Sequence, residues 1–198
     1  MAITPEMIKE LKERTGAGIL DCKKALEKTG GDIEKAVEEL RKMGLAKADK
    51  KLSRETKEGL VEAYIHPGAR LGVLVEVNCE TDFVANTDEF KKFVHNIALQ
   101  IAAMSPKYVR REDIPADVIE REKEILREQL KREGKPDQVI EKIIEGKLQK
   151  FYQENVLYDQ EFFMEPGVTI EEYVKQHIAK FSENIRIKRF ARFKIGEE

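Results

Sequence analysis

The stretch Asn78-Cys79-Glu80-Thr81-Asp82-Phe83-Val84-Ala85 carries the most pointed chemistry of the chain. A strand pattern precedes it and an amphipathic helix pattern follows, so the chain leaves a sheet here. A carboxylate, Asp82, stands beside a large apolar ring, Phe83. One carboxylate without a neighbouring ligand cluster is a poor magnesium site, so Asp82 is not expected to coordinate metal. Two readings of Phe83 are open on physical grounds. The ring packs back on the next helix as a staple, or it touches another molecule.

The other reactive side chains do not assemble into a catalytic pattern. Cys22 and Cys79 lie far apart and read as reduced thiols. His66, His95 and His177 are scattered on a strand end and two helices, without metal-ligand spacing to the cysteines. Gly16-Ala17-Gly18 lacks a preceding strand, a third glycine and the Lys-Ser/Thr ending of a phosphate loop, which leaves a tight interhelical turn. A nucleophile elbow is missing too. These features point away from an enzyme, a metal, a cofactor and direct nucleotide binding.

Three short helices are expected over 1–45. Thr4 caps the first, with Pro5 at its first position and Met7, Ile8 and Leu11 inward. The second runs from Ile19 to Lys28 with Cys22, Ala25 and Leu26 inward. Asp32 caps the third, Ile33, Ala36, Val37 and Leu40 recur at helical spacing, and Gly44 is expected to close it. Residues 46–58 are charged and read as a linker or a solvated helical extension. The period then changes to two. Gly59–His66 and Arg70–Cys79 form a hairpin about Pro67-Gly68-Ala69, with Leu71, Val73, Val75, Val77 and Cys79 on its better apolar face. A helix from Thr87 to Met104 supplies cover through Phe90, Val94, Ile97, Ala98 and Ile101.

Two further helices, split by Gly134-Lys135-Pro136, make a helical hairpin at about 115–152. A capping box at Thr169-Ile170-Glu171-Glu172 opens a later helix. The last element, Asn184–Ile195, is a strand with Ile185, Ile187, Phe193 and Ile195 on one parity and Phe190 on the other. It is expected to join the hairpin as a third antiparallel strand. The class is therefore α+β, with a three-helix module over 1–45, a charged linker over 46–58 and a core over 59–198.

The chain has 198 residues, 37 % of them charged, and a net charge of −2. No global field recruits nucleic acid or an anionic membrane, and no apolar run approaches a membrane span. Basic and aromatic residues alternate on the last strand, yet no RNA-binding signature accompanies them. Met1-Ala2-Ile3-Thr4-Pro5 lacks the parts of a signal peptide, so the cytoplasm is the expected address. Heavy Lys, Arg and Glu usage without Trp hints at a thermophilic source.

Two stretches then give the chain a likeness. Leu11–Leu26, which includes Thr15-Gly16-Ala17-Gly18-Ile19-Leu20-Asp21-Cys22, resembles the N-terminal signature of the translation elongation factor Ts family. Asn78–Ala85 resembles that family's second signature. The similarity covers essentially the whole chain and matches the family's short form. It implies a ubiquitin-associated-like module at the N-terminus, followed by a dimerisation-type core. It also implies a guanine-nucleotide exchange factor for elongation factor Tu.

In that likeness Thr81, Asp82, Phe83 and Val84 form the loop that disturbs magnesium and nucleotide binding in the GTPase. Phe83 is the wedge between its helices. Lys12, Ile19 and Leu20 match the positions through which the N-terminal module touches the same domain. Lys12 stands where other members carry Arg, and Ile19-Leu20 where they carry Met-Met. Charge and bulk survive, but a lysine cannot reproduce a bidentate arginine contact. A homodimer through the sheet is expected, helped by Leu74 and Phe190 and without a covalent link. The alternative is a protein-binding adaptor that uses the three-helix module and has no exchange activity.

Overall fold

In the computed structural model, which describes residues 3–197, eight helices and three strands follow one another. The Met1-Ala2 start and Glu198 lie outside the described residues. The order is α1 (Pro5–Thr15), α2 (Ile19–Lys28), α3 (Ile33–Asp49), β1 (Glu58–Ile65), β2 (Leu71–Cys79), α4 (Asp82–Ala85), α5 (Asp88–Met104), α6 (Ala116–Arg132), α7 (Asp137–Asn155), α8 (Ile170–Phe181) and β3 (Arg186–Lys194). The strands form one antiparallel sheet in the order β1-β2-β3, so the α+β expectation holds. Two compact units arise from this path. The first gathers the described part of Met1–Gly59 with Asn78–Thr87 and Glu172–Arg186. The second holds Leu60–Val77, Asp88–Glu171 and the described part of Ile187–Glu198.

In the first unit, α1 to α3 bury one small core. Thr4 and Asp32 cap α1 and α3 by accepting the Met7 and Lys35 N–H groups at 3.4 and 3.0 Å. Each satisfies a donor that no helical carbonyl can reach. Leu11, Cys22, Ala25, Leu26, Ala36 and Leu40 form the buried cluster, flanked by Ile3, Met7, Ile8, Ala17, Ile33 and Val37. Gly16, at φ 67°, ends α1 and donates to the Lys12 carbonyl at 2.8 Å. Only a residue without Cβ adopts that turn cheaply.

Gly44 does not close α3. The helix runs on to Asp49, because Gly44 and Ala48, one turn apart, give α8 a flat surface to lie on. A Cβ at Gly44 would stand 3.5 Å from the Ala179 Cβ, and Ala48 is fully buried. Charged groups seal the seam: Lys175–Asp49 at 2.9 Å and Arg41–Glu172 at 2.8 Å.

In the second unit, β2 alternates as expected, with Val73, Val75 and Val77 buried and Leu74 exposed. α5 buries Phe90, Phe93, Val94, Ile97, Ala98 and Ile101. Its His95 Nδ1 lies 2.8 Å from the Glu62 carboxylate of β1. The Arg192 guanidinium of β3 donates to the Ala102 carbonyl at 3.4 Å. The third strand departs from its expected parity. Ile187 is buried, but the next half-buried large side chains are Phe190 and Arg192, and Phe193 is exposed. The inward side therefore advances by three residues between Ile187 and Phe190, the phase slip of one extra residue in a strand. Phe193, rather than Phe190, adds apolar surface to the outer face.

That outer face carries Val61, Ile65 and Leu74 beside Phe193, all exposed. Ile65 lies over Gly72, where a Cβ would stand 3.0 Å from its Cδ1. α6 and α7 form the expected hairpin. Gly134, at φ 73°, lets Lys135 donate to Leu130 and Gly134 to Lys131, closing α6 with paired end bonds. The hairpin has its own buried cluster: Leu126, Leu130, Ile140, Ile144 and Leu148. Val139, expected on that stripe, is exposed instead, because its neighbour Ile140 takes the inward position and adjacent helix residues point in different directions.

Candidate functional site

The loop that leaves β2 is a single tight turn with one large side chain outside it. Thr81 caps α4, and its Oγ1 accepts the Val84 N–H at 3.4 Å. Ala85 is buried and Val84 half-buried, which pins the inner side of the turn. Asp82 and Phe83 face out. Phe83 exposes 82 % of its surface, so it is not a staple on the following helix. Four helical residues form too few hydrogen bonds to hold themselves. The turn therefore depends on what grips it from outside.

The grip comes from the chain just after α8. Ser182, at φ 59°, takes the left-handed conformation that stops the helix and sends Glu183 and Asn184 back toward the loop. The Glu183 carboxylate accepts the Glu80 N–H at 3.1 Å, the Thr81 N–H at 3.0 Å and the Thr81 hydroxyl at 2.6 Å. In return the Glu80 carboxylate accepts the Asn184 N–H at 2.6 Å and faces Arg54 at 3.5 Å. Asn184 is buried and donates its side-chain amide to the Leu52 and Arg54 carbonyls at 3.2 and 2.7 Å.

One more bond closes the base of the loop. The Cys79 thiol donates to the Thr81 carbonyl at 3.1 Å. Burial, seconded by the Glu183 charge, pushes that thiol up to about 11. It therefore stays protonated at neutral pH and remains a donor.

The N-terminal positions lie in the same unit. Lys12 is exposed in the last turn of α1. Ile19 and Leu20 start α2 and expose 58 % and 74 % of their surface. Core packing of the pair, open on periodicity alone, does not occur: both side chains turn outward. Gly18, the N-cap of α2, brings no side chain to screen them. Asp21 is drawn aside by Lys47 at 2.6 Å, and Cys22 takes the inward position. Two adjacent aliphatic side chains at a helix start thus form a small exposed apolar surface.

Among the described residues, no group of three His, Cys, Asp or Glu side chains is set to hold a metal, and no helix is long and apolar enough to cross a membrane. Cys22 and Cys79 are both buried and free.

The family model described as Elongation factor TS matches residues 5–197. The chain belongs to the elongation factor Ts family. An elongation factor Ts from Fervidobacterium nodosum is 61 % identical over 197 residues, covering all of both chains. Those from Thermosipho melanesiensis and Thermotoga neapolitana are 58 % and 57 % identical, covering 98 % and 100 % of this chain and all of theirs. The elongation factor Ts likeness read from the two motifs is thereby a membership.

Glu183 and Asn184 escaped the sequence reading. Their sole hint is the polar tripeptide Ser182-Glu183-Asn184, where a helix pattern gives way to the strand expected from Asn184. Nothing in that tripeptide names its partner, which lies about a hundred residues earlier in the chain.

Proposed function

We propose that this member of the elongation factor Ts family promotes GDP release from elongation factor Tu in the cytoplasm, by differential binding and without covalent chemistry. The observation that carries the reading is Phe83, an aromatic ring 82 % exposed on a loop that is otherwise tied down. A GTPase holds its nucleotide through a phosphate cradle and a bridging Mg²⁺. A factor that binds the nucleotide-free state more tightly than the loaded one shifts that equilibrium. Phe83 is the wedge that repacks the helices carrying the phosphate and metal ligands. Thr81 and Val84 shape the turn, and Asp82 lies beside the ring without holding metal. Lys12, Ile19 and Leu20 supply contact that does not depend on the loop. Burying a phenylalanine ring stabilises by about 1.5–3 kcal/mol, enough to supply a difference in affinity of up to about two orders of magnitude.

The outer face of the sheet, with Val61, Ile65, Leu74 and Phe193 exposed, serves a second copy of the chain in a homodimer. Its apolar content fits a buried interface better than a solvated surface.

The test is release of a fluorescent GDP analogue from elongation factor Tu. The wild type should accelerate release, and Phe83→Ala should slow the stimulated rate by roughly two orders of magnitude with its thermal unfolding unchanged. Binding without acceleration by the wild type would leave the adaptor reading. Acceleration unchanged in Phe83→Ala would move the mechanism to the N-terminal module.

A further inference from the structure

We infer that Glu183 is the positioning residue of the exchange loop: its carboxylate sets the Thr81–Val84 turn in the shape that presents Phe83. The inference rests on the exchange reading above and adds a residue outside both signatures. Three donors converge on this one side chain, the N–H groups of Glu80 and Thr81 and the Thr81 hydroxyl, at 3.1, 3.0 and 2.6 Å. Hydrogen bonds to an ionised acceptor are the strong ones. The Thr81 hydroxyl links grip to shape, because the same oxygen caps α4 by accepting the Val84 N–H. The donor bond to Glu183 thus fixes which lone pair is left for the cap.

The anchor does not itself swing. Glu183 follows the left-handed Ser182, whose carbonyl takes the Lys51 ammonium at 2.5 Å. Asn184 is buried and tied to the Leu52 and Arg54 carbonyls. The Glu80 carboxylate returns a bond to the Asn184 N–H, so the two segments grip each other in both directions. By contrast Phe83 is almost bare. A wedge on an unheld loop spends its binding energy on ordering the loop. Glu183 removes that cost in advance.

The role has a kinetic signature that a merely structural residue lacks. Ile19 and Leu20 contact the partner whether or not the loop is set, whereas the wedge acts where nucleotide leaves. Interactions made only at that step change the maximal rate and leave half-saturation alone. Stimulated GDP-analogue release is measured against factor concentration for wild type, Glu183→Ala and Glu183→Gln. Amide hydrogen exchange of residues 78–87 is measured on the free proteins. Glu183→Ala should lower the maximal rate about tenfold, with half-saturation moved by less than about threefold, and the Glu80 and Thr81 amides should exchange faster. Glu183→Gln keeps an oxygen for the two N–H groups and should recover most of the rate.

Unchanged exchange at Glu80 and Thr81 in Glu183→Ala would overturn the inference. So would a full maximal rate despite faster exchange, or a loss confined to half-saturation. If Glu183→Ala does not fold, Glu183→Gln decides: a small loss of maximal rate with a small gain in amide exchange supports the grip, and no change in either refutes it. A wild type that releases no GDP sinks the exchange reading instead, and amide exchange then still reports whether Glu183 holds the turn.

Discussion

Gly44 offers a clean perturbation of the support beneath the loop. It sits inside α3 with helical backbone on both sides, so its flexibility serves no turn. Glycine in a helix interior costs about 0.8–1 kcal/mol relative to alanine. A methyl placed there would meet the Ala179 Cβ at 3.5 Å, ordinary van der Waals contact. The site is half-buried, so the added methyl contributes a few tenths of the roughly 0.8 kcal/mol of a fully buried one. Gly44→Ala should therefore stabilise by about 1–1.5 kcal/mol. That corresponds to roughly 2–6 °C in melting temperature for a chain of this size. The outer carbons of Gly44→Leu would press on α8 at Ala179, and overpacking of this kind costs about 1–3 kcal/mol.

The check is urea unfolding followed by far-ultraviolet circular dichroism. The midpoint should rise in the alanine variant and fall in the leucine variant, each at unchanged slope. Because α8 leads directly into Glu183, the leucine variant should also slow stimulated GDP release, and the alanine variant should not. A lowered midpoint for Gly44→Ala would refute the reasoning. It would mean that α3 and α8 approach more closely than the Ala179 distance says.

Further outcomes follow from the buried thiol, a cap and the sheet. Cys79, with its thiol pushed up to about 11, should be alkylated by iodoacetamide at pH 8 at least about two orders of magnitude more slowly than an exposed thiol; mass spectrometry showing free-thiol rates would contradict its burial. The Asp32 carboxyl is held below its ordinary 3.8, chiefly by the Lys35 N–H it accepts. A depressed carboxyl contributes stability that is present above the unfolded-state value and is lost as pH falls through the folded one. Asp32→Asn should therefore flatten the acid limb of stability below about pH 4 while leaving the cap in place, and an unaltered limb in acid melts would reject this. Sedimentation should give twice the 22.8 kDa chain mass for the wild type and the single-chain mass for Phe193→Ser; a monomeric wild type at working concentration would remove the dimer.

Local signals were legible and distant ones were not. The alternation from Leu71 to Cys79 and the caps at Thr4 and Asp32 are each decided within a few residues, and the structure reproduces them. Gly44 misled because glycine marks a helix end by its backbone freedom, whereas here it marks close helix packing. The parity of β3 slipped after Ile187, and a one-residue slip moves every later side chain to the opposite face. Phe193 and Phe190 exchanged places for that reason. The exit turn itself was readable from Thr81 to Val84. Its anchor was not, because Glu183 meets Thr81 across 102 residues through hydrogen bonds that leave no periodic trace.

That separation orders events during the protein's own birth. The Thr81–Val84 loop emerges from the ribosome early, and the carboxylate that grips it is made 102 residues later. At roughly 5–20 residues per second the interval is about 5–20 s. Through it the nascent chain carries an exposed phenylalanine on a turn with no anchor, and the first unit lacks the α8 segment that completes it. A truncated chain that ends before Glu183 would display both signatures and still lack the grip. A factor that serves protein synthesis thus gains its set loop only when its own synthesis is nearly finished.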